Sequence, residues 1–86
     1  MRRSFKEHIM AHCLARGFSY HEHVGDPWFM NIGEEGKTRV HIRMDGALYV
    51  IETPEVLCTC VASAWDIACL VIDYYLSPES PEAKNK

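Results

Sequence analysis

The sequence predicts an α+β fold in the order α-β-β-β-α, and three observations lead to it. Apolar residues recur at spacings of three and four near the N-terminus, alternate with polar ones through the middle, and return to helical spacing toward the C-terminus. An Asp-Gly pair sits between two alternating runs, which is the strongest short signal for a β-hairpin. The chain is 86 residues long, too short to divide its buried surface between two cores.

Phe5, Ile9, Met10, Cys13 and Leu14 share one helical face, so residues 3–16 read as an amphipathic helix capped by Ser4 and stopped by Gly17, with His8 and His12 on the opposite flank. From Phe18 the period becomes two. Phe18, Tyr20, Glu22 and Val24 alternate with Ser19, His21 and His23, which makes a short polar segment suited to a fourth strand at a sheet edge, ended by Gly25-Asp26-Pro27. Trp28, Met30 and Ile32 then alternate with Phe29 and Asn31 before the turn-rich Gly33-Glu34-Glu35-Gly36.

Thr38 to Met44 and Ala47 to Glu52 flank Asp45-Gly46. With that pair as the two-residue turn, Met44 faces Ala47, Ile42 faces Tyr49 and Val40 faces Ile51 on the core side. Arg43–Leu48, His41–Val50 and Arg39–Glu52 then form the outer pairs. Thr53-Pro54-Glu55 has the chemistry of a helix start. The second helix is expected to run from there to Leu76, with Leu57, Cys60, Val61, Ala64, Ala68, Val71, Ile72 and Tyr75 inward and Ser63, Asp66 and Asp73 outward. The expected architecture is one domain over residues 1–76, an antiparallel three-stranded sheet with two helices packed on one face. Residues 77–86, polar and interrupted by Pro78 and Pro81, are expected to form a disordered tail.

An apolar fraction of 48% and a charged fraction of 24% exclude low-complexity and collagen-like classes. The N-terminus runs from Arg2 and Arg3 into charged residues with no apolar stretch of signal-peptide or membrane-span length, which predicts a cytoplasmic protein with no membrane role. Cys13, Cys58, Cys60 and Cys69 lie among apolar neighbours and are expected to be free thiols. A net charge of −3 argues against a protein that coats nucleic acid.

Four constellations could carry function. Arg39, His41 and Arg43 point the same way from one strand, and Phe29 and Asn31 join them if Met30 pairs into the core, giving a surface for a protein, a phosphate or a nucleic acid. The outward side of the second helix, at Asp66, Leu70 and Asp73, carries an apolar residue that one sheet cannot cover. His8, His12, His21 and His23 have spacings open to a metal but match no zinc template. Cys13 beside His12 or His41, or Ser63 with Asp66, supplies nucleophile and base types without any catalytic motif, so no enzyme and no cofactor is expected.

The order α-β-β-β-α resembles that of double-stranded-RNA-binding domains. The stretch matching their lysine cluster, Thr53-Pro54-Glu55-Val56-Leu57-Cys58, has one acid and no base, so the likeness ends at topology. In size, mild acidity and lack of catalytic motifs the chain is similar in type to small inhibitors encoded by phages and mobile elements, anti-CRISPR proteins among them. The expectation is a small non-catalytic protein-interaction module, an inhibitor or adaptor, with a homodimer as one form. The alternatives are a nucleic-acid or phosphate binder through the basic outer sheet face, and a histidine-based metal protein.

Overall fold

The computed structural model describes residues 3–34, 37 and 39–76; the expected tail at 77–86 lies outside them. Helix α1 spans Phe5–Arg16. It starts where the Ser4 hydroxyl accepts from the Glu7 backbone and the Glu7 carboxylate accepts from the Ser4 backbone, a reciprocal capping box. It stops at Gly17, whose φ of 78° is the left-handed conformation that a helix terminus favours in glycine.

Five strands follow: β1 Tyr20–His23, β2 Phe29–Ile32, β3 Val40–Asp45, β4 Leu48–Glu52 and β5 Leu57–Cys60. They form one antiparallel sheet in sequential order. A short 3-10 turn at Ala62–Ala64 leads into helix α2, Trp65–Leu76. The α+β class is as expected, but the sheet has five strands where three, with room for a fourth, were predicted.

The extra strand comes from the front half of the expected second helix. Thr53 does form side-chain hydrogen bonds, from the Glu55 and Val56 amides, but its own amide donates to the Val56 carbonyl at 2.8 Å. The same hydroxyl chemistry that caps helices here closes the loop between β4 and β5. A helix from residue 54 to 76 would be roughly 34 Å long at 1.5 Å per residue, about twice the length of a five-residue strand. Half of its apolar face would overhang the sheet. Divided into a strand and a 12-residue helix, the segment matches the sheet's dimensions. Leu57 and Val61, assigned inward on the helical reading, are instead exposed.

The hairpin carries a second correction. Asp45 opposes Leu48, so the turn is Gly46-Ala47, with Gly46 at φ 65°. Glycine takes the first turn position, where a type II′ hairpin needs positive φ, and Asp45 is spared a conformation that costs a side-chain residue energy. The pairing therefore moves by two residues: Ile42 faces Ile51, Met44 faces Tyr49 and His41 faces Glu52. An even shift preserves parity, so the paired side chains keep their expected faces, but Met44 and Ala47, expected to oppose each other on the core side, are exposed, Ala47 now lying in the turn. Val40, Ile42, Tyr49 and Ile51 are all buried.

One core results. Phe5, Ile9 and Cys13 of α1 and Ala68, Cys69 and Ile72 of α2 join Met30, Ile32, Val40, Ile42, Ile51 and Cys60 from the strands. The Phe5 ring stacks on Tyr49 with centroids 3.8 Å apart. Leu14, expected on the apolar face of α1, is exposed. Among the described residues no helix is long and apolar enough to cross a membrane.

Candidate interaction surfaces

Strand register builds the outer sheet face as two rows across all five strands. One row is His23, Phe29, Arg43, Val50 and Thr59; the other is His21, Asn31, His41, Glu52 and Leu57. The expected neighbours Phe29, Asn31, His41 and Arg43 are therefore together, and all are half-buried. The His23 ring stacks on Phe29 (4.7 Å between centroids, 7° between planes), and Phe29 leans on His41 at 5.5 Å. His41 Nδ1 lies 2.7 Å from Asn31 Oδ1, so the protonated ring nitrogen donates and the amide oxygen accepts. Val50 is buried despite facing outward, since it sits in register between Arg43 and Thr59, where an arginine stem can lie along it.

Burial lowers the His41 pKa; Glu52 opposes that, and Arg43 and Arg39 reinforce it. The imidazole is thus held neutral. The Nε of Arg39 is buried without a hydrogen-bond partner. Glu52 sits in the same row as His41.

The outward side of α2 is different. Leu70 is 68% exposed, and Ile67 at 48% and Tyr74 at 78% lie three residues before it and four after it on the same side of the helix. Asp66 is exposed beside them and accepts from the Ile67 amide. Ile67, with Trp65, Cys69 and Leu70, already reads from the sequence as apolar beyond the arc that one sheet can cover; Tyr74 was not singled out, although its spacing of four from Leu70 could have found it.

Asp73, one turn beyond Leu70, is also bound to α1. Its carboxylate accepts from His12 Nε2 at 2.8 Å and from Arg16 Nε and NH2, each at 3.1 Å, tying α2 to α1. Burial raises its pKa, but the hydrogen bonds from Arg16 and His12 and their charges outweigh that and hold it below the usual carboxylate value. Expected beside Asp66 and Leu70 as a partner-facing residue, it is engaged by α1 in the fold, with 32% of its side chain exposed.

The histidines divide between tasks. His8 stacks flat on Trp65, centroids 3.9 Å apart, and His12 holds Asp73, so the two turn toward α2 rather than away from the core. His21 and His23 stand on the outer sheet face. No group of three metal-type side chains comes together among the described residues. All four cysteines are free thiols. Cys58 and Cys60 point to the same side of β5. Burial pushes the Cys13 thiol up to about 12, with Cys69 and Asp73 adding to it, and Cys69 up to about 11. Neither is a thiolate at neutral pH.

A cleft lined by Arg3, Ser4, Phe5, His8, Ala62, Ser63 and Trp65 lies between the start of α1 and the start of α2. Ser63 is exposed there, with no base hydrogen-bonded to it among the described residues. Compared with known protein families, curated proteins and solved structures, the chain matches none, so its function is argued from its residues alone.

Proposed function

We propose that the chain is a small non-catalytic protein-interaction module, an inhibitor or adaptor that acts by occupying a partner. In this reading both helices lie on the inward face of the sheet and α2 presents its far side to the partner. The observation that carries it is the stripe of Ile67, Leu70 and Tyr74 standing in water on a helix whose other sides are used. A helix apolar on its solvent side as well as its core side is suited to laying that stripe into a groove of another protein. Asp66 at its margin supplies a polar rim.

Immobilised chain exposed to an extract of its native source is the test. Leu70→Asp and Tyr74→Asp should each abolish capture of the partner, while Arg43→Glu on the outer sheet face should not. Capture lost with Arg43→Glu and weakening steeply with salt would replace this reading with phosphate or nucleic-acid binding.

A further inference from the structure

The β5 edge has no counterpart elsewhere in the fold. Val56 to Val61 contains no charged residue, and β5 pairs only with β4, so among the described residues its second edge is open. Leu57 is 58% exposed and Val61 50%, on either side of an exposed Thr59. Val61 continues the strand conformation, with φ −84° and ψ 165°. An uncharged, extended, apolar edge is a template for another strand.

We infer that β5 pairs antiparallel with β5 of a second copy of this chain, joining two sheets into one of ten strands about a two-fold axis through Thr59.

The choice of occupant follows from register. A two-fold axis perpendicular to the sheet keeps inner faces inner, so only residues of equal parity can oppose one another. The register centred on Thr59 sets Leu57 against the second copy's Val61, twice, and Thr59 against itself, a favourable cross-strand pair. The inward thiols Cys58 and Cys60 then oppose each other. Every exposed apolar side chain in the strand meets an apolar one, and no like charges approach. The segment is complementary to itself, whereas β1 paired about Glu22 would bring that carboxylate against its own copy. The surface is on a different element from the α2 stripe, and the inference goes beyond the protein-partner reading.

Sedimentation equilibrium of the full chain should give a reversible monomer–dimer equilibrium. Leu57→Lys and Val61→Glu should each weaken the dimer by at least about tenfold, with the circular-dichroism melt unchanged at a dilution where the wild type is monomeric, because both positions are exposed. The double variant Leu57→Lys/Val61→Glu places Lys opposite Glu twice and should restore the dimer. A chain monomeric to millimolar concentration would overturn the inference, and so would a dimer unaffected by either single variant. A dimer lost with Leu70→Asp but kept with Leu57→Lys would place the contact on α2 and equally overturn it. Failure of the double variant to recover would refute the register centred on Thr59.

Discussion

At one edge of the sheet β1 presents His21, Glu22 and His23; at the other β5 presents Leu57, Cys58, Thr59 and Cys60 with no formal charge. Both strands are four residues long and each pairs with one neighbour. On β1 the side chains close the edge from within: Glu22 accepts from Trp28 Nε1 at 2.8 Å and His23 lies on Phe29. On β5 the odd-numbered residues reach solvent and find nothing. The contrast teaches that backbone pairing alone does not finish a sheet. An edge is finished by side chains that are costly to bring against a copy of themselves, and β5 lacks them.

The largest effect should come from the pair that both edges depend on. Ile42 and Ile51 are fully buried and directly opposed at the centre of the sheet. Ile51→Ala should destabilise the fold by roughly 2–5 kcal/mol through lost burial and a cavity, read from urea unfolding. A cost under about 1 kcal/mol would show that the core can collapse around the gap.

Next in size is the polar anchor of β1. Glu22→Ala would leave the indole N–H of a buried tryptophan without its acceptor. The expected cost is about 1–3 kcal/mol, with β1 amides losing hydrogen-exchange protection before those of β5. Equal loss at both edges would mean that the two are not independently held.

Mild acid should act on stability through His41 and leave the β5 edge unaffected. The folded-state pKa of His41 is depressed, chiefly by burial. Below the ordinary histidine value of about 6.5 the unfolded chain therefore binds the proton first. The contribution of His41 to stability is complete above that value and is lost as pH falls until the folded-state pKa is reached. His41→Gln should flatten the fall in melting temperature in that window. Self-association through Val56–Val61, which contains no imidazole, carboxylate or amine, should not change across it.

The smallest effect is on stability at the exposed positions. Leu70→Asp should shift unfolding by no more than about 1 kcal/mol, since the side chain is in water already. A collapse of the fold would show that Leu70 is core.

Local pattern alone determined α1, the β2 strand, the hairpin and the face taken by the hairpin residues that pair. Those depend on period and capping, which are properties of neighbours in the chain. Parity even survived a misplaced turn, because moving the pairing by two residues returns each side chain to its own side. Three matters were decided only by the tertiary structure. Val56–Val61 fits the helical spacing of the residues after it, and what makes it a strand is the open side of β4, which aligns Cys60 with Tyr49 and Cys58 with Ile51. Asp73 looks outward on a lone helix and is drawn in because His12 and Arg16 arrive from a helix 57 or more residues away. The outer face could be listed residue by residue from alternation, yet the stacking of His23 on Phe29 and the bond from His41 to Asn31 depend on cross-strand register. A periodicity records which side a residue faces, and only the assembled sheet determines what it meets there.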